Sequence, residues 1–321
     1  MNAIVVEELG GPEVLQWKTV PEPTPEAGQL VVEIEAAGVN FMDVYQRIGL
    51  YKVDTPFILG SEGAGVVVAV GAGVADFKPG DRVAWCDQRG SYSQFIAINE
   101  ARAVPLPDAL ASEVAAAGIL QGATAHYLVN DTFPLAPGHR CLIHAAAGGV
   151  GRLLVQLAKR AGAEVLATAG GPEKVALARS AGADHVIDYQ ATDFVEEVEG
   201  LIGKNQLNVV YDGVGKATFE KGLTLLRPRG MMVNYGSASG PPDPFPPLRL
   251  SALGSLFLTR PGLVHHVPTT EELRRRAADV FGLITTGELE VRVGLRLPTR
   301  EAAQAHRRLE ARETTGKVLL T

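Results

Sequence analysis

Residues 141–169, CLIHAAAGGVGRLLVQLAKRAGAEVLATA, set an apolar strand, a glycine-rich turn, an amphipathic helix and a second strand in direct succession. Few folds accommodate that order at that length. Val150, Leu153, Leu154, Leu157, Ala158 and Ala161 recur at the spacing of one helical face. Against the spacing GxGxxG, Gly148 and Gly151 fill the second and third places, and Ala146 stands in the first. Gly148 lets the backbone approach a pyrophosphate, Gly151 lets the helix pack on the strand, and the amides that open the helix face the phosphates. A purely structural turn is the competing reading of the same glycines.

The pattern continues. Short apolar strands are expected near Cys141–His144, Val165–Thr168, His185–Ile187, Val209–Tyr211, Met231–Asn234 and Ser255–Leu258, with helices between most of them. That alternation predicts an α/β unit, a doubly wound, six-stranded parallel sheet of the Rossmann type. The run GPPDPFPP at 240–247 can be neither helix nor central strand and is expected as a surface loop. Before Ala123 the chain reads differently. Val32, Ile34 and Ala36 alternate with Val31, Glu33 and Glu35, a second such run spans Gly63 to Val74, and another strand begins at Arg82. Short strands with frequent Gly and Pro suggest a partly open β-barrel. The glycines at 63, 65, 71 and 73 are read as barrel turns. The tail holds two charged helices, around Glu271–Thr285 and Arg300–Ala311, and a last strand, Lys317–Leu320, expected to return to the barrel. Arg274–Arg276 beside Glu271 and Glu272 reads as a solvated helix face.

With 30 Lys and Arg against 36 Asp and Glu, the net charge of −6 provides no broad cationic field for nucleic acid. No run of apolar residues reaches the length of a membrane span, and MNAIVVEELG lacks the basic start of a signal peptide, so a cytoplasmic protein without membrane insertion is expected. Two cysteines, Cys86 and Cys141, cannot build a four-cysteine zinc site. Adjacent His265 and His266 lack ligand spacing and are read as surface residues.

The second strand of the nucleotide unit runs into Ala169, Gly170 and Gly171. NAD-selective sites usually place a carboxylate there to accept from the ribose 2′-hydroxyl. Its absence, with Lys174 and Tyr189 following as donors, favours NADPH over NADH.

The runs AAGVNFMDVYQRIGLY, GSEGAGVVVAVG, PGDRV, QGATAHYLV, AAAGGVG, AGADHVIDY, VVYDGVG and SLFLTRP occur in one order along nearly the whole chain. In that order they resemble the medium-chain dehydrogenase/reductase superfamily, specifically its zinc-free, zeta-crystallin-like quinone oxidoreductase branch. The resemblance implies a GroES-like, partly open β-barrel catalytic domain, residues 1–123 and 260–321, around an inserted Rossmann NADPH-binding domain, residues 124–259. It implies NADPH in a cleft lined by Asn40, Tyr45, Gln121, Thr124, Gly149, Val150, Gly170, Lys174, Tyr189, Val214, Tyr235, Gly236, Phe257 and Lys317, and a homodimer. Tyr45 and Tyr51 would border the substrate. Where zinc alcohol dehydrogenases carry a ligand Cys and a ligand His, this chain has Asn40 and Ser61. No metal is therefore expected.

The chemistry so implied is hydride transfer from NADPH to a quinone, whose oxygen would accept hydrogen bonds from Asn40, Tyr45 or Tyr51. Two alternatives stay open. One is NADPH-dependent reduction of the C=C bond of an enone or enal; the other is an NADPH-binding structural or regulatory protein.

Overall fold

A computed structural model describes residues 1–321, which divide into two compact units, Met1–Ala123 with His266–Thr321, and Thr124–His265. The amino-terminal part of the first unit contributes β1 (Asn2–Val6), β2 (Gln16–Thr19), β3 (Gln29–Val39), helix α1 (Phe41–Arg47), β4 (Phe57–Ile58), β5 (Glu62–Val70), β6 (Arg82–Cys86), β7 (Phe95–Asn99), β8 (Val104–Pro105) and helix α2 (Ser112–Tyr127). β3 buries Val32 and Ala36 and exposes Glu33 and Glu35, as its period of two requires. Gly63 and Gly65 lie inside β5 and not in turns as expected, and a Cβ at Gly65 would strike the Glu33 carbonyl of the paired strand. Close backbone approach, not turning, is what those glycines provide. α1 and α2 were not visible as helices: α1 spans under two turns, too short for a hydrophobic period to show.

The second unit holds β9 (Arg140–Ile143), α3 (Gly149–Arg160), β10 (Glu164–Ala169), α4 (Pro172–Ser180), β11 (His185–Asp188), α5 (Phe194–Ile202), β12 (Leu207–Asp212), α6 (Phe219–Leu223), β13 (Leu226–Asn234), α7 (Leu248–Ala252) and β14 (Phe257–Thr259). Its six strands run in the order β11-β10-β9-β12-β13-β14, parallel throughout. This is the doubly wound arrangement expected, with the order reversing beside β9, where ligands of such sheets bind. All residues of β12 are buried, as a central parallel strand demands. Residues 240–246 form a loop without regular structure, also as expected.

The chain then returns to the first unit through α8 (Thr270–Thr285), β15 (Val293–Leu297), α9 (Ala302–Glu310) and β16 (Lys317–Leu320). β16 pairs antiparallel with β3, completing a seven-stranded sheet. Thr269 caps α8 by accepting from the Glu272 amide. The solvated face expected for Arg274–Arg276 holds only for Arg275, which pairs with Asp279 on its own helix. Arg276 is buried, and Arg274 reaches Asp76, the Ala103 and Glu100 carbonyls and the Phe77 ring. The charged triplet is thus divided by helical rotation between solvent and core. Chemical denaturation should show R276A costing about 2–4 kcal/mol and R275A less than about 0.5 kcal/mol.

Candidate active site

At the end of β3 the chain turns into α1 through Asn40, whose backbone N–H donates to Asp43 Oδ2 at 2.8 Å in a capping box. The Asn40 side chain sits in a buried polar cluster drawn from four elements. Its Oδ1 accepts from Gln121 Nε2 on α2 and from Lys317 Nζ on β16, the latter at 2.9 Å. Two donors on one oxygen fix the amide's orientation, so its nitrogen faces Glu62 Oε1 at 2.8 Å and the Gly38 carbonyl at 3.3 Å. The amide hydrogens expected to meet an acceptor's oxygen are therefore directed at Glu62 and Gly38. Lys317 forms an ion pair with Glu62 and also donates to the Val39 carbonyl at 3.1 Å. Lys317 is 2% exposed and Glu62 0%. Glu62 Oε2 accepts the Leu120 amide at 3.0 Å. A Cβ at Gly38 would collide with the Glu62 carboxylate and the Lys317 stem, so only glycine leaves room for the pair.

Beside this cluster lies a second, centred on Asp43. Ser61 Oγ donates to Asp43 Oδ1 at 2.7 Å and the Tyr92 hydroxyl to Oδ2 at 2.9 Å. Burial raises the Asp43 pKa to about 6, outweighing the Ser61, Tyr92 and Asn40 hydrogen bonds and the Lys317 charge, all of which lower it. Tyr45 projects from α1 onto Tyr51, ring centroids 5.3 Å apart and edge-on at 66°. Tyr45 is buried and Tyr51 is exposed.

The positions of Asn40 and Ser61 do not suit zinc. An amide, a hydroxyl already donating to Asp43 and a lysine ammonium offer neither thiolate nor imidazole. No group of three or more His, Cys, Asp or Glu side chains anywhere is placed to hold a metal ion.

In the second unit Gly148 is the extended N-cap of α3, followed by Gly149 and Val150, all three half-buried. A Cβ at Gly151 would strike the Ala145 carbonyl, so this glycine is what lets the helix start against the end of β9. The turn thus presents backbone amides with no side chain over them, a fit for a pyrophosphate. Past β10, Gly170 sits under Tyr189, where an added Cβ would come within 2.5 Å of the tyrosine oxygen, and Lys174 stands in the first turn of α4. Asp188, which the sequence did not single out, accepts from the Gly171 and Gln190 amides, each at 3.0 Å, and so ties the two loops that carry Gly170 and Tyr189. Both bonds fall on one carboxylate oxygen, Oδ1.

At the end of β12, Asp212 Oδ1 gathers the Val214 and Gly215 amides and the Thr218 hydroxyl, at 2.8, 3.0 and 2.8 Å. That carboxylate shapes the loop carrying Val214. Gly213 packs against the Tyr235 ring and Gly236 against Gly213, so Val214, Tyr235 and Gly236 are brought together past the carboxyl ends of β12 and β13. Phe257 is not among them: its register partner is Met231, within β13, and its side chain is 56% exposed. Thr124 is buried on α2. His144 is buried at the end of β9 with Nδ1 2.9 Å from Thr168 Oγ1, and burial lowers its pKa, so it is a packed neutral histidine.

Residues 26–134 match the alcohol dehydrogenase GroES-like domain family and residues 149–264 the zinc-binding dehydrogenase family. A quinone oxidoreductase of Pseudomonas aeruginosa is 43% identical over 313 residues, 97% of this chain and 96% of that one. A 2-haloacrylate reductase of a Burkholderia species is 40% identical over 326 residues, 99% of this chain and 98% of that one. The structure of Escherichia coli quinone oxidoreductase complexed with NADPH superposes with a TM-score of 0.97 at 40% identity, covering 100% of this chain and 99% of that one.

Asp43 supplies a measurable consequence. Its folded pKa, about 6, lies above the ordinary value of 3.8, so its contribution favours folding fully below the lower value and is lost as pH rises through the upper one. Thermal denaturation between about pH 4 and pH 7 should therefore show D43N with a flatter decline in stability than the wild-type chain.

Proposed function

Because the chain belongs to the medium-chain dehydrogenase/reductase superfamily, in its quinone oxidoreductase branch, we propose that it transfers reducing equivalents from NADPH to a quinone without a metal. The observation that carries this reading is the replacement of metal-ligand chemistry by the buried Asn40, Glu62, Gln121 and Lys317 cluster, with the Tyr45 and Tyr51 pair beside it. Bound NADPH would supply the hydride. Gly148, Gly149, Val150 and Gly151 hold its pyrophosphate, and Val214, Tyr235 and Gly236 flank it. Gly170, Lys174 and Tyr189 surround its 2′-phosphate, and the end of β10 carries no carboxylate to repel that group.

In the first unit the paired rings of Tyr45 and Tyr51 offer an aromatic wall to a flat acceptor. Their hydroxyls donate to the acceptor oxygen as it gains charge, which is where preorganised donors contribute most. Tyr51 is exposed, so solvent can return its proton. Asn40 serves by position: its amide is locked by four partners and forms a fixed floor. A second reading, reduction of a C=C bond conjugated to a carbonyl, uses the same donors and is supported by the likeness to the 2-haloacrylate reductase.

We also place the protein in the cytoplasm as a homodimer. Both cysteines are buried free thiols, in keeping with a reducing compartment. β14 ends its sheet, and around it Leu248, Phe257, Leu258 and Val264 are 78, 56, 38 and 50% exposed, an apolar edge suited to a second copy.

NADPH oxidation with 1,4-benzoquinone and an enone in parallel, chelator present, tests the reading; quinone turnover that resists chelation supports it, and turnover of the enone alone moves the activity to the second reading. K174A should weaken NADPH about ten- to a hundredfold while leaving NADH nearly unchanged, because one hydrogen bond to a charged phosphate is lost. F257D should shift the chain to monomer in sedimentation measurements.

A further inference from the structure

α1 is a seven-residue helix, too short to hold its own place, yet it presents Tyr45 to the proposed substrate. Asp43 and Arg47, one turn apart, form its anchored face. Phe41 and Tyr45, also one turn apart, form roughly the opposite one. Where the first face is fixed, the second is aimed.

The anchor comes from α9. His306 and Glu310 lie one turn apart there, and both grip Arg47: Nη1 is 2.9 Å from His306 Nδ1, and Nη1 and Nη2 reach the two Glu310 oxygens at 2.8 and 3.0 Å. Arg47 Nε donates further to the Gly10 carbonyl at 3.1 Å. Guanidinium only donates, so His306 Nδ1 accepts and its proton rests on Nε2. Burial and the neighbouring Arg47 charge lower the His306 pKa to about 3, which keeps the ring neutral. Nε2 then donates to the Tyr92 oxygen at 3.3 Å, and the Tyr92 hydroxyl donates to Asp43 Oδ2 at 2.9 Å. Every hydrogen in the chain points the same way, from the Arg47 cation to the Asp43 carboxylate that caps α1 at Asn40. Arg47, Tyr92, His306 and Asp43 are all buried, so a missing member is not replaced by bulk water.

We propose that this latch, His306 and Glu310 on α9 acting through Arg47, Tyr92 and Asp43, is a positioning device for hydride transfer. It sets where α1 presents Tyr45 and leaves NADPH binding untouched. The inference rests on the oxidoreductase reading above. None of its remote members meets substrate; misplacement of the helix they hold is enough to slow a step that depends on sub-ångström alignment.

The test uses the full chain and three variants, H306L, H306Q and Y92F, with steady-state 1,4-benzoquinone turnover and hydrogen–deuterium exchange over residues 41–47. H306L breaks the chain and should lower kcat about tenfold, with the KM for NADPH changed by less than about twofold. Y92F removes one hydroxyl and should lower kcat about three- to tenfold in the same pattern. H306Q can accept from Arg47 with its carbonyl oxygen and donate to Tyr92 with its amide, and should keep more than about half of kcat. Wild-type turnover in H306L, equal impairment of H306L and H306Q, or a KM for NADPH rising in step with the loss of kcat would each overturn the latch. If the wild-type chain oxidises no NADPH with any quinone or enone, the oxidoreductase reading falls instead. Exchange then decides the latch by itself: faster exchange of α1 in H306L but not in H306Q upholds it, and equal exchange in all three proteins refutes it.

Discussion

The buried ion pair between Glu62 and Lys317 is the contact on which the first unit's arrangement turns. Glu62 opens β5, Lys317 opens β16, and between them the pair reaches the end of β3 through Val39 and Asn40 and the middle of α2 through the Leu120 amide. A pair taken out of water costs several kcal/mol per ion in desolvation, and it is tolerated only where further hydrogen bonds complete the geometry. Here they do, and Gly38 vacates the space the two side chains need. A pair of this kind adds little net stability, but here it joins β16 to the end of β3 and holds the Asn40 amide in one orientation.

Around that pair the polar interior is organised as two connected clusters. One neutralises itself through Glu62 and Lys317; the other runs from Arg47 to Asp43 and meets the first at Asn40, whose backbone serves Asp43 and whose side chain serves Lys317. Zinc chemistry is displaced by this network and not merely missing, since the side chains at the two ligand positions are committed to other partners. In the nucleotide unit the same economy appears in simpler form. Asp188 and Asp212, each at the carboxyl end of a strand, spend a carboxylate oxygen on backbone amides and so hold the loops through which a dinucleotide would pass.

Much of the architecture was legible in the residues. The parallel sheet announced itself because its inner strands β9, β10 and β12 are almost wholly buried and read as short apolar runs between helices, and α3 because its apolar face is long enough to show a period. The turn could be recognised from its glycine spacing, and at Gly151 the backbone packs closely enough on Ala145 to exclude any side chain. α1 was not legible, because under two turns leave too few residues for a hydrophobic period to repeat. Arg276 was misread beside Arg275 because charge in a sequence does not say on which side of a helix it falls.

The sequence alone determined the two kinds of folding unit, the glycine turn, the absence of a carboxylate after β10 and the substitution of both zinc-ligand positions. These are local properties, each carried by a few neighbouring residues. Tertiary structure alone decided that Asn40 spends its amide hydrogens on Glu62 and Gly38, that Lys317 is buried at Glu62, and that His306 and Glu310 grip a helix some 260 residues away in the chain. Those outcomes depend on which side chains are excluded from water together, and residues so distant in sequence are joined only when the last strand closes against β3.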